Sequence, residues 1–294
     1  MSYIKNIKDT TALLSDLSQH SELFLQHSAD DKLPSSASLE EIILLFRSVI
    51  FPGYFGRPIL NESTISYYIG ASLERLLLLL TEQIEAGLNF AHAVQHEGDV
   101  LNNHEQAKAC ALELIQLLPS LRATLATDVE AAYMGDPAAH SRAEVICCYP
   151  VIKALSCYRL AHELHKLGVP LIPRMITEMA HTETGIDIHP AAKIGSHFTI
   201  DHGTGVVIGA TCIIGNHVKL YQGVTLGAKS FPLDENGNPI KHIPRHPILE
   251  DGVIVYSNAT ILGRVTIGEN AIIGANVWIT QDVAASAKVS FAKS

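Results

Sequence analysis

LEDGVIVYSNATILGRVTIGENAIIGANVWITQDV, residues 249–283, decides the fold. Leu249, Val255, Ile261, Ile267, Ile273 and Ile279 stand six residues apart. Four residues after each lies a second, usually smaller residue: Val253, Ala259, Val265, Ala271, Val277 and Val283. A helix repeats about every 3.6 residues and a half-buried strand about every 2, so this period belongs to neither. It reads as a solenoid of triangular section. Each unit makes one short strand and one corner, and the large aliphatics stack inside.

The same frame extends toward the N-terminus. Ile208, Ile214, Leu220 and Leu226 form one register, and Ile188, Ile194 and Ile200 another, accompanied by Ala192, Phe198, Thr204, Cys212, Val218 and Val224. Glycine often follows the first position, as at Gly195, Gly209 and Gly215, where a tight corner would use its conformational freedom. The frame slips twice. Two extra residues enter between Ile200 and Ile208, within Asp201-His202-Gly203-Thr204-Gly205. A longer excursion, Ala228 to Ile248, contains Arg245-His246-Pro247. A repeat gives up regular stacking only where something compensates, so function is expected at the breaks. Each break carries a histidine beside a charged residue.

Upstream of Gly185 the pattern is helical. Ser38-Leu39-Glu40-Glu41 predicts a capping box before Ile42–Phe46, and Pro52-Gly53 a break. Amphipathic stretches follow from Ser63 through Leu80 toward Gly87, from Glu105 to a stop at Pro119, and from Ser120 to Tyr133. After Gly135-Asp136-Pro137, a helical pair is expected over Arg142–Leu167, then a short helix over Ile172–His181. The fold class is α+β: an all-helical N-terminal part, then a parallel β-helix. The expected division is a helical extension 1–60, a helical domain 61–184 and a solenoid 185–294 with an inserted loop 228–248.

The 294 residues are 47% hydrophobic, yet no uncharged apolar run approaches the length of a membrane span. The polar start MSYIKNIKDT lacks the apolar core of a secretory signal. A formal charge of −9 without basic blocks argues against a nucleic-acid or anionic-membrane partner. Five cysteines without a CxxC pair suggest neither a disulfide framework nor a zinc site, so a reducing, cytoplasmic setting is expected. Cys212 takes an inward position, and Cys147 and Cys148 are read as helix packing residues. Asp234-Glu235-Asn236-Gly237-Asn238 is read as a turn, since a calcium loop would need a terminal glutamate at the right spacing.

Gly185-Ile186-Asp187-Ile188-His189-Pro190, Asp201-His202-Gly203-Thr204-Gly205 and Arg245-His246-Pro247 resemble, in order and separation, the GxDIHP, DHxTG and RHP motifs of the serine acetyltransferases. The resemblance covers about residues 130–283. It implies a left-handed coil, acetyl transfer from acetyl-CoA to the serine hydroxyl as the first step of cysteine biosynthesis, no metal, and a homotrimer or pair of trimers. It further implies that His202 is the base and Asp187 its partner carboxylate. Asp136 and Asp201 would receive the substrate ammonium, and Arg245 and His246 its carboxylate. Gly227, Ala228, Ser257 and Ala275 would border CoA. Alanine and serine stand at 228 and 257, where the family usually has glycine and alanine. His189 is read as structural.

The chemistry suits these residue types. Serine's hydroxyl does not ionise unaided near neutral pH. A histidine, with an ordinary pKa of about 6.5, is the fitting base. Arginine's planar fork suits a carboxylate. Three rival readings exist. A sugar hydroxyl transferase would not need the Asp136, Asp201 and Arg245 set. A solenoid carbonic anhydrase would need His197, His202 and His217 at metal-ligand spacing. A non-catalytic scaffold would bind a partner enzyme. The family's sulfhydrylase complex uses a terminal isoleucine, whereas this chain ends Val289-Ser290-Phe291-Ala292-Lys293-Ser294, so that complex is not expected.

Overall fold

The computed structural model describes residues 2–18, 20–25, 33–56, 60–95, 103–230, 232–241 and 243–290. The end of the chain, Phe291–Ser294, on which the sulfhydrylase expectation turns, lies outside them. Among the described residues seven α-helices come first: α1 (Ser2–Ser15), α2 (Ser36–Ile50), α3 (Ile65–Gln95), α4 (Asn103–Gly135), α5 (Arg142–Cys148), α6 (Pro150–Lys166) and α7 (Ile172–Thr184). The cap of α2 is Ser35, whose hydroxyl accepts from Ser38 N–H at 3.3 Å, three residues before the expected box.

Pro119 does not stop a helix; it lies inside the single helix α4. Proline there forfeits one hydrogen bond, costing about 3 kcal/mol. Leu114, Leu118, Leu121 and Leu125 keep one buried face continuous across it. α4 is long and apolar enough to cross a membrane by length and composition, which the reading by uncharged runs overlooked. In this fold that face is spent on the core. Cys147 and Cys148 are exposed, not packed; Val145 and Ile146 do the packing on α5.

Among the described residues fourteen short strands, β1 to β14 in chain order, build a parallel solenoid with three faces. The first face stacks β1 (Ile186–Ile188), β4 (Val206–Ile208), β7 (Thr225–Gly227), β10 (Thr260–Leu262) and β13 (Trp278–Ile279). The second stacks β2 (Lys193–Ile194), β5 (Ile213–Ile214), β8 (Ile248–Leu249) and β11 (Thr266–Ile267). The third stacks β3 (Thr199–Asp201), β6 (Lys219–Tyr221), β9 (Ile254–Val255), β12 (Ile272–Ile273) and β14 (Lys288–Val289). Ile208 pairs with Leu226, which pairs with Ile261, which pairs with Ile279, so one unit in three of the six-residue frame falls on this face and the frame becomes three columns of side chains. All thirteen frame aliphatics point inward and are buried, except Ile194, which is half-buried. Thr204 is exposed, because the two-residue insertion passes its inward place to Val206.

The glycines after the frame residues serve contact rather than backbone freedom. Gly195 has no positive φ, but a Cβ there would stand 2.7 Å from the Gly215 carbonyl of the next coil. The left-handed corner positions fall instead to His197, His202, His217, Asn258, Asn270, Asn276 and Ser286, besides other glycines. The first coil has no coil above it, so its carbonyls need other donors. α6 supplies them. Tyr158 donates to Ala192 O at 2.6 Å and Arg159 to Gly195 O at 2.8 Å, while His162 lies 2.8 Å from Pro190 O.

Candidate active site

His202 follows β3 at the corner that leads from the third face into the first. Its φ is 59°, which turns the ring out of the stack, and the side chain is 75% exposed. The same corner gathers charged groups around the end of α4. Asp201 stands with Oδ1 3.8 Å from His202 Nε2 and Oδ2 3.1 Å from Lys219 Nζ. Lys219 also donates to the Gly135 carbonyl at 2.6 Å. Asp136, the next residue, accepts from the Tyr149 hydroxyl and, at 2.8 Å, from Ala138 N–H. These bonds, Tyr149 first, hold the Asp136 carboxyl below its usual range, while Tyr149 is pushed up to about 12. Burial alone would lower the Lys219 pKa. Contacts with Tyr221 and Asp201 outweigh it and keep the ammonium above the ordinary lysine range. Asp136, Tyr149, Asp201 and Lys219 share one small crevice.

Asp187 lies on β1, one coil from His202. Ile186 beside it packs where a Cβ on Gly203 would stand, and Gly205 N–H donates to Gly185 O at 2.8 Å. Among the described residues Asp187 has no ion pair with His202 within 4.0 Å. Its nearest cation is Arg174 of α7 at 3.9 Å, and its carboxylate lies within 4.8 Å of Glu178 and His181 ligand atoms.

Arg245 and His246 occupy a different corner, where the first face turns into the second. Thr211 organises them: its Oγ1 accepts from Arg245 N–H at 2.9 Å and His246 N–H at 3.1 Å, and its own N–H donates to His246 Nδ1 at 3.1 Å. Burial first, then Arg245 and Arg264, hold the His246 pKa down at about 4. The ring is therefore neutral near pH 7. With Nδ1 accepting, its proton sits on Nε2, which becomes a donor. His189 is capped into the same region, Nδ1 accepting from Ala191 N–H at 3.0 Å, which agrees with a structural role.

The expected CoA positions divide the same way. Gly227 ends β7 and Ala228 follows it at the His246 corner, whereas Ser257 and Ala275 stack below His202 at the other corner. His197 and His217, the other ligands a carbonic anhydrase would need, stack ring on ring at 4.2 Å on the corner between the second and third faces, apart from His202. Cys212 is fully buried with its thiol pushed up to about 12 by burial, in keeping with core packing. The 234–238 segment is a turn: Gly237 has φ 82° and Asp234 N–H donates to Asn238 O at 2.8 Å.

Sequence reading missed Lys219, Tyr149 and Thr211. A lysine beside an inward leucine looks like any surface strand residue, and a threonine in a corner like any turn residue. Their roles appear only once α4, α5 and the 228–248 loop have docked.

A family model, bacterial transferase hexapeptide (six repeats), matches residues 246–281. A serine acetyltransferase of Synechococcus elongatus, described as plasmid-encoded, is 50% identical over 89% of this chain and 82% of its own length. The crystal structure of Entamoeba histolytica serine acetyltransferase 1 in complex with L-cysteine superposes with a TM-score of 0.75 at 36% identity, covering 92% of this chain and 94% of that one. A serine acetyltransferase solved as a complex with CoA superposes at 0.54 and 25% identity, over 86% and 95% of the two chains. A shared helical part, a shared solenoid and half the residues in common lead to one conclusion: the chain belongs to the serine acetyltransferase family.

Proposed function

We propose that this chain transfers the acetyl group of acetyl-CoA to the hydroxyl of L-serine, giving O-acetylserine and CoA, and so opens cysteine biosynthesis from serine. The observation that carries the reading is the corner itself. An outward-turned histidine stands 3.8 Å from Asp201, which shares a crevice with Asp136. The two carboxylates suit a primary ammonium, and His202 is placed to take the proton of a hydroxyl held beside it. As the serine oxygen forms its bond to the thioester carbon, His202 accepts the proton. As the tetrahedral adduct collapses, the carbon–sulfur bond breaks and the imidazolium returns the proton to the CoA sulfur. Asp201 beside the ring and Asp187 on the neighbouring coil stabilise the imidazolium.

The carboxylate end of serine is assigned to Arg245 and to the Nε2–H of His246. Within one copy these cannot reach the same serine as His202. From Gly205 to Gly209 alone, β4 and its flanks span roughly 13 Å at about 3.3 Å per residue. The site therefore forms between adjacent copies, with the His202 corner of one facing the His246 corner of the next, as a homotrimer would arrange them. The split of Gly227 and Ala228 from Ser257 and Ala275 follows the same logic and places CoA along the groove between copies. Val207, Ile213 and Trp278 are outward apolar side chains, 36%, 37% and 67% exposed, that such packing would cover. Units 61–184 and 185–294, the latter carrying the 228–248 loop, are read as the helical and catalytic parts, with 1–60 as an extension. Five free cysteines fit a cytoplasmic location.

A thiol-release assay with acetyl-CoA tests the reading. Turnover should be fast with serine and at background with homoserine or amino sugars. An amino sugar preferred over serine would overturn it.

A further inference from the structure

We propose that Lys219 is a positioning residue for the substrate's amine: it clips the end of α4 to the solenoid and so sets Asp136 opposite Asp201. The inference rests on the reading above, in which these carboxylates take up the ammonium of serine.

Gly135 is the last residue of α4, where backbone carbonyls lack helical partners and the negative end of the helix dipole lies. A cation is favoured there, and Lys219 Nζ stands 2.6 Å from that carbonyl. Earlier along α4, Thr127 and Asp128 are already tied to the solenoid through His197 N–H and Phe198 N–H, at 3.0 and 3.1 Å. Lys219 repeats the attachment two turns later, immediately before Asp136. Tyr149 and Ala138 hold the Asp136 carboxylate on its own turn, and Lys219 holds that turn on β6.

The same ammonium divides the work of Asp201. Oδ2 is engaged by Lys219 at 3.1 Å, which leaves Oδ1 as the oxygen toward His202, at 3.8 Å. The amine and hydroxyl of serine are only a few atoms apart, so the oxygen nearer the base is the useful one. One lysine between two carboxylates also leaves about one net negative charge. That attracts an ammonium, whereas two uncompensated carboxylates repel each other and favour protonation.

Lys219→Met and Lys219→Arg, measured by thiol release against serine and acetyl-CoA, test this. In Lys219→Met the KM for serine should rise about tenfold, with kcat and the KM for acetyl-CoA within about twofold, and Lys219→Arg should recover most of the loss. If Lys219→Met does not fold, Lys219→Gln, which can keep a donor for the Gly135 carbonyl but loses the charge beside Asp201, should show the same split in smaller degree, with the serine KM raised about three- to fivefold. A serine KM within about twofold of the parent overturns the proposal, as does a joint loss in all three parameters. A parent enzyme that does not acetylate serine fails the underlying reading before any variant is made, and takes this proposal with it.

Discussion

The imidazole of His246 fills the room that Gly209 leaves: a Cβ on Gly209 would stand 2.0 Å from His246 Cδ2. A glycine of the repeat frame, read from sequence as a corner device, is thus the floor under the ring that the proposal assigns to the substrate carboxylate. The ring is pinned from one side by that floor and from the other by Thr211, at 2.8 Å from Nδ1.

Gly209→Ala should therefore displace His246 while leaving the His202 corner alone. Expected are a serine KM raised about tenfold or more and a destabilisation of about 1–3 kcal/mol from overpacking. Steady-state kinetics and chemical denaturation read both. Unchanged serine affinity would show that the ring position is not used.

Acid should destabilise the fold through two histidines. Burial first, then nearby positive groups, hold His189 and His246 each at about 4, against about 6.5 in an unfolded chain. Between those values the unfolded chain binds more protons than the folded one. Their stabilising contribution is thus fully present above about pH 6.5 and is lost as pH falls through about 4. The melting temperature should drop across that window. His189→Asn should reduce the drop, since its amide oxygen can still accept from Ala191 N–H. A flat profile from pH 7 to 4 would contradict this.

A buried ion pair between α4 and α6 lies where the helical part meets the solenoid, Arg159 reaching Gly195 O and Asp128 the Phe198 N–H. Arg159 donates to Asp128 through Nε at 2.6 Å and Nη2 at 2.9 Å, and both side chains are less than 10% exposed, at 7% and 0%. Arg159→Met leaves Asp128 buried without its cation and removes the donor to Gly195 O. A loss of about 3–5 kcal/mol is expected in denaturant unfolding. A loss under about 1 kcal/mol would mean that the interface does not depend on the pair.

Much of this was legible in the chain because a solenoid writes its contacts locally. The six-residue frame from Ile188 to Ile279 is at once a sequence pattern and a set of three packing columns, and both breaks in it carry the charged corners. What could not be read depends on long-range docking. Pro119 stays helical because leucines on both sides share one core. Ser35 caps α2 because only there does the chain leave helical geometry. Lys219 gains its role from the end of α4, more than eighty positions earlier, and no local pattern announces that meeting. Motifs named His202 and His246 together, while the fold sets them at opposite ends of one face.

The most direct test of the account is the thiol-release rate of His202→Ala with serine and acetyl-CoA, beside a melting curve of the same variant. Expected is a kcat/KM lowered by about a hundredfold to ten-thousandfold, with the melting temperature close to the parent's. Activity within about threefold of the parent would show that some other group takes the serine proton.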